Sequence, residues 1–288
     1  MVKIVTDSSV DFTPEMVRDL GVTVVPLSIT FGDKSYLDGA DIDAATLYRM
    51  LRDEHAYPRT AQPSVGLFEE VFRQLAADDH DIVVITLASA LSGTYNSAAL
   101  AARNVPEARV TLIDSHGISM AMGSLVIDAV HMAREGKTTA EIEAAVQALI
   151  PRLELLLMCD TLTYLQRGGR IGRASSLVGA MLNIKPIISL RDGQVVPVQR
   201  VRTRGKALQE MATMAKAAAP FEQVYIMHTA APELAAEFAA MVQSVYDGDI
   251  PIMMLGPVVG VHLGPGSVGI TGLRSSHLSF VQTGKRQG

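Results

Sequence analysis

The chain has one cysteine, no tryptophan and few aromatic residues, 5% in all, among 288 residues. A lone Cys159 excludes an intrachain disulfide and any cysteine-based zinc cluster. Its place in the apolar run 155–159 reads as a buried, inert thiol rather than a nucleophile. With aromatics so sparse, base-stacking platforms are not expected. Charged residues make up 19% and the net charge is -5, against the basic face of a nucleic-acid-binding protein. No apolar run approaches the roughly 18 residues of a membrane span. The start MVKIVTDSS enters a strand at once, without the charged and apolar regions of a signal peptide. A soluble cytoplasmic protein is expected, without nucleic-acid partners or stable membrane insertion. Walker A, H-E-x-x-H and G-x-S-x-G patterns are all missing, so nucleotide hydrolysis, zincin and α/β-hydrolase chemistry have no anchor. Gly264-x-Gly266-x-x-Gly269 matches the dinucleotide fingerprint in form, but no long helix follows it and the chain ends before an acidic ribose ligand.

Apolar residues are plentiful, 48% of the chain, enough for one large or two medium domains. A strand over residues 2–5 precedes Thr13-Pro14-Glu15, which combines a capping hydroxyl, proline at the first turn and an early acid; Gly21 stops that helix. Residues 22–39 read as a hairpin-like excursion with turns at Gly32-Asp33 and Asp38-Gly39. Helices are expected over 44–54 and 64–77, the second with Leu67, Val71, Phe72 and Leu75 on one face. Residues 81–86 read as a buried parallel strand. A helix opened by Ser92-Gly93-Thr94 and a strand over 109–113 follow. Next come helices over 118–134 and from Thr138, where Glu141 completes a capping box. Alternating strands and helices predict a parallel sheet covered on both faces.

After Pro151 the pattern changes. Strands are expected at 153–159, 185–190, 194–201, 223–228 and 252–261, with Asp192-Gly193 as a hairpin turn and helices near 203–219 and 232–246. The fold class is α/β in two domains, a parallel-sheet domain over 1–154 and an α+β domain with a mixed sheet over 155–275. Residues 276–288 form a patternless tail.

Three polar clusters follow apolar runs: Thr60-Ala-Gln-Pro-Ser64, Leu91-Ser92-Gly93-Thr94 and His262-Leu-Gly264-Pro-Gly266. They offer hydroxyls, an imidazole and backbone N–H groups but no carboxylate, which suits an anion. Ser92, just past a strand and opening a helix, sits where ligands bind in open α/β sheets; capping its own helix is the competing role. Asp38, Asp41 and Asp43 are read as turn and cap residues before a cation site. Asp7 and Asp114 either bind substrate or cap the next helices. Arg170 and Arg173 in a glycine-flanked segment, and Arg200, Arg202 and Arg204, are solvated charges by default, yet also suit phosphate or an acidic partner.

Taken in order, TDSS, TAQPS, LSGTYNSA, the Asp114-Ser115 pair, TLTYLQRGGRIG and HLGPGSVG resemble the DegV family of bacterial fatty-acid-binding proteins, some of which serve as the acyl-carrying subunit of fatty acid kinase. The resemblance runs from residue 3 to about 275. It implies two α/β domains with a long-chain fatty acid between them, its carboxylate held by Thr60, Ser92 and His262, with Gly93 and Thr94 as secondary contacts. It also implies that Arg170, and less directly Arg202, serve phosphoryl transfer with an ATP-dependent kinase subunit. Ala61 departs from the small polar residue that the family often has there, leaving Thr60 as the donor. No cofactor or metal is implied, nor a catalytic residue in this chain. His262 is expected to be able to carry a proton. A stand-alone serine hydrolase or acyltransferase with Ser92 as nucleophile and His262 as base is the alternative, and a lipid-sensing regulator a third.

Overall fold

The structure, a computed structural model, describes residues 1–53, 57–177 and 184–275. Strand β1 (Val2–Asp7) leads through a 3-10 turn to helix α1 (Pro14–Leu20), capped by the Thr13 hydroxyl and ended by Gly21 in the left-handed region. β2 (Thr23–Val25), β3 (Ser28–Phe31) and β4 (Lys34–Leu37) follow, then α2 (Ala44–Asp53), β5 (Arg59–Ala61) and α3 (Val65–Ala77). β6 (Asp81–Thr86), α4 (Thr94–Asn104), β7 (Arg109–Asp114), α5 (Met120–Arg134) and α6 (Thr139–Leu149) complete this half, with the Thr138–Glu141 capping box in place.

Strands β2-β1-β6-β7 form a parallel sheet. Alternation along each strand sorts its residues between two faces. Val5, Ile82 and Val84 pack with Phe68 and Phe72 of α3 and Ala98 and Ala101 of α4. Ile4, Val83 and Ile85 pack with Leu125 and Val126 of α5 and Ile142 of α6. β4-β3-β5 is a small antiparallel sheet beside α2, and Gly32-Asp33 turns the hairpin.

The second half begins with β8 (Leu153–Met158), α7 (Thr163–Gly168), β9 (Lys185–Arg191) and β10 (Gln194–Val201), the last two joined by Asp192-Gly193 with both residues at positive φ. α8 (Arg204–Ala218), β11 (Phe221–His228), α9 (Pro232–Val242), β12 (Ile252–Met254), α10 (Pro257–Leu263) and β13 (Val268–Arg274) follow. The mixed sheet runs β10-β9-β8-β13-β11-β12. Leu156, Met158 and Ile187 face α8 and α9. Leu157, Cys159 and Ile188, one residue out of phase, face Met120, Leu165, Val259 and Leu263.

Two sequence expectations fail here. Residues 252–261 do not form one strand: pairing stops at Met254 and α10 starts at Pro257. Pro257 lacks a ladder donor and is pre-set for a helical first turn, and Gly260 lets Leu47 and Tyr48 pack closer than a Cβ would permit. The helix therefore buries Val258 and Val261 against the small sheet. The sequence reading also missed β13, the buried strand between β8 and β11. Its Gly269 and Gly272 weaken the strand signal. Side chains at those positions would collide with Leu156–Leu157 and with Phe221. The tail 276–288 and the last residue of the expected helix 44–54 lie outside the described residues.

Candidate ligand site

The apolar face of the mixed sheet that looks toward the parallel sheet does not close completely. An apolar space, open at its mouth, lies among Leu155, Leu157, Ile188, Val195, Met227 and Leu263. From the first half come Leu27 after β2, Leu87, Leu91 and Ser92 after β6, and Ile118 and Ser119 after β7. These are carboxyl-end loops of a parallel sheet, where its helices and strands leave a crevice.

Of the polar residues in the lining, two meet directly. Thr60, in β5, and His262, in the last turn of α10, are 202 positions apart in sequence, yet Thr60 Oγ1 lies 2.8 Å from His262 Nε2. His262 thus stands on a helix, not at a strand end as its apolar neighbours imply. Ser92 lines the same space; its Oγ lies 2.9 Å from Thr94 Oγ1 and accepts from the Thr94 N–H at 3.3 Å. Thr94 is fully buried, and Gly93 lies so close to the Gln62 side chain that a Cβ there would collide with it. Thr94 and Gly93 therefore support Ser92 and Gln62 from behind. Arg170 is exposed at the mouth and ties two loops together, donating from Nη1 to the Gly168 carbonyl at 2.9 Å and from Nε to the Leu91 carbonyl at 3.3 Å. Arg202 is exposed between β10 and α8 and lies outside this lining.

Burial, with the charge of Arg170 second, pushes the His262 imidazole down to about 4. At neutral pH the ring is uncharged and carries a single N–H proton. His262 Nδ1 is buried without a hydrogen-bond partner, and Gly168 packs onto it. An orphaned acceptor is less costly than an orphaned N–H, so the proton belongs on Nε2, which then donates to Thr60 and leaves the Thr60 hydroxyl proton free to donate onward. Among the described residues, His262 makes no hydrogen bond to Ser92 and no carboxylate orients Nδ1. The nucleophile–base–acid relay that a serine hydrolase needs is not assembled.

Other candidates take structural roles. Asp41 and Asp43 accept from the Leu37 and Thr46 N–H groups, a turn and a helix start. Asp114 holds the Ser89 and His116 N–H groups, and Asp7 holds those of Ser9 and Leu87. Arg204 pairs with Asp160. Burial pushes the Cys159 thiol up to about 12, keeping it protonated. The sequence reading passed over Gln62 and a mouth built by Tyr57, Arg59, Tyr164 and Arg167, in which the Arg167 guanidinium lies 3.4 Å from the Tyr57 ring centre. They fall on two short stretches, 57–62 and 164–167, that meet only in the folded chain, so their roles come from the contact between the stretches.

A family model described as uncharacterised protein, DegV family, matches residues 1–274. The chain belongs to the DegV family. A DegV domain-containing protein of Halalkalibacterium halodurans is 36% identical over 276 residues, covering 94% of this chain and 97% of that one. Among solved structures, a DegV family protein from Thermus thermophilus described by its fatty acid binding is 30% identical with a TM-score of 0.88, covering 95% of this chain and 99% of its own. A stearic acid-binding protein from Eubacterium ventriosum, also 30% identical, has a TM-score of 0.87 over 95% and 98% of the two chains. The α/β class with a parallel and a mixed sheet is therefore shared by this DegV protein and its relatives. Among the described residues, no helix is long and apolar enough to cross a membrane.

Proposed function

We propose that this DegV family member binds a long-chain fatty acid, its hydrocarbon tail in the aliphatic cavity and its carboxylate at Thr60, Ser92 and His262. One observation carries the reading: a space walled by Leu, Ile, Val and Met side chains is also lined by a touching hydroxyl–imidazole pair and by the Ser92 hydroxyl. The tail supplies affinity, about 0.8 kcal/mol for each buried methylene and roughly 12 kcal/mol gross for a C16 chain before association costs. The polar end supplies direction, because an unpaired carboxylate is costly to bury. The Thr60 hydroxyl donates to one oxygen and the Ser92 hydroxyl to the other, while Arg170 at the mouth adds positive charge.

The same arrangement suits presentation of the carboxylate to a partner kinase in the cytoplasm, which would phosphorylate it to an acyl phosphate. The carboxylate oxygen would be the nucleophile, the partner would hold ATP, and Arg170 and, on the family resemblance, Arg202 would face the transferred phosphoryl group. The chain itself would then act as a carrier and not as an enzyme. Similarity to fatty-acid-binding DegV structures supports the carrier reading. Protein purified from a bacterial host and denatured in solvent is expected to release fatty acid in near-stoichiometric amount by mass spectrometry. Extracts free of fatty acid, with no uptake on adding palmitate, would remove the proposal.

A further inference from the structure

Three carboxyl groups are buried together beyond the ligand site, with no ion pair among the described residues to balance them. Asp7 ends β1, Asp11 sits at positive φ before α1, and Asp38 follows β4. Asp7 is satisfied by Ser9 and Leu87. In contrast, neither carboxyl oxygen of Asp11 nor Oδ2 of Asp38 completes a well-formed hydrogen bond among the described residues, although the residues are only 8% and 5% exposed. Ser119 and the Gly256 N–H face Asp11, and Ser8 and the Val258 N–H face Asp38, each favouring the charged form but outweighed by burial. The charged groups acting on Asp11 are Asp38 and Asp7, and the one acting on Asp38 is Asp7. From α2, Tyr48 faces both Asp11 and Asp38, its own ionisation pushed far up by burial and then by the two acids. Ser8 and Ser119 are their hydroxyl neighbours.

What these acids touch gives the cluster its meaning. Asp11 packs directly on Gly256, the N-cap of α10, which has no capping side chain of its own, and Asp38 faces the Val258 N–H in the first turn. The Tyr48 hydroxyl donates to the Leu255 carbonyl at 2.9 Å and packs against Gly260. Leu255, Val258, Val259, His262 and Leu263, all on or beside this helix, line the ligand cavity.

We propose that Asp11 and Asp38 are positioning residues for the ligand site: they seat the first turn of α10 and so hold His262 against Thr60. This rests on the reading of Thr60 and His262 as the carboxylate end of the site. Unpaired buried carboxylates are costly to ionise, and burial raises Asp38 to about 7 and Asp11 well above the usual range. Raising the pH through that region places like charges together under the start of α10. Among the described residues no cation is paired with them, and only the Ser8 and Ser119 hydroxyls and the Gly256 and Val258 N–H groups favour the charge. His262, already neutral above about 4, does not titrate in the same window.

The test is binding of a fluorescent fatty acid below its micellar concentration from pH 6 to pH 9. Affinity of the native chain is expected to fall at least tenfold by pH 9, since one proton retained on binding costs up to about tenfold for each pH unit above about 7. Asp38→Asn, which keeps the shape and cannot ionise, should hold at pH 9 the affinity the native chain shows at pH 6, and Asp11→Asn should flatten the profile likewise. A native profile flat within twofold, or variants that keep the native slope, would overturn the inference even if one variant folds poorly. Thr60→Val provides the separate control. If it binds as the native chain does, the carboxylate-site reading fails; if it binds weakly while the profiles are flat, only the role of Asp11 and Asp38 fails.

Discussion

Thr60 and His262 meet through one 2.8 Å contact, and each sets what the other can do. With the imidazole proton on Nε2, Thr60 accepts from the ring and donates to a ligand, so valine at position 60 removes both functions. Thr60→Val is expected to weaken fatty acid binding by roughly 1–2 kcal/mol, the scale of a lost hydrogen bond to a charged group, read by calorimetric titration. An unchanged dissociation constant would take Thr60 out of the site. His262 also carries a stability signature. Its folded-state value of about 4 lies below the ordinary 6.5, so the unfolded chain binds the extra proton between those limits. Its contribution is present above about pH 6.5 and is lost as pH falls toward 4, up to about 3 kcal/mol at full shift. The buried acids work in the opposite sense: Asp7, raised to about 6 chiefly by burial, and Asp38, raised to about 7 by the same cause, cost stability as pH rises from about 4 to 7. Denaturation of His262→Gln across pH 4–7 should show the acid-side loss reduced while the acid-driven slope persists. An identical pH profile in both proteins would contradict the buried neutral ring.

At the scale of elements, the site depends on where α7 ends. Gly168, the last residue of α7, lies against His262 Nδ1, and a methyl group there would occupy the imidazole's place. Its φ is not in the left-handed region, so alanine suits the backbone and the helix. Gly168→Ala is therefore expected to spare folding but displace His262, weakening binding by on the order of 1–2 kcal/mol, as overpacking does. Binding equal to the native chain, with Tm unchanged, would show that the imidazole can move without cost. Much at this scale was legible beforehand. Thr13-Pro14, the Thr138–Glu141 box and Asp192-Gly193 carry local chemistry that acts through hydrogen bonds a few residues long. α10 and β13 were not legible, because valine-rich residues 258–261 and glycine-bearing residues 268–274 contradict their own propensities and are decided by the neighbours they bury.

Across the whole molecule, the cavity is made where one face of the mixed sheet meets the carboxyl-end loops of the parallel sheet, with Arg170 bridging a loop from each half at the mouth. The tail site and the exposed guanidinium are thus separable. Arg170→Ala is expected to leave fatty acid affinity within about twofold, since an exposed charge contributes little to binding, and to cut acyl phosphate formation when a fatty acid kinase is supplied. A parallel loss of affinity would mean that Arg170 holds the ligand or the loops instead. The three sequence clusters did mark most of the polar end, because hydroxyls and an imidazole after apolar runs have few other uses. Gln62, Tyr57 and Arg167 escaped notice, since their significance lies in what sits opposite them.

The order of apolar and polar residues by itself determined the class of layers, the caps and turns, and the hydroxyl and imidazole clusters, since each depends on contacts within a few positions. Only tertiary structure decided that His262 rides a helix, that it faces Thr60 from 202 positions away, and that its ring is neutral. Those outcomes depend on burial and on groups brought from distant segments, quantities that a local stretch of chain does not contain.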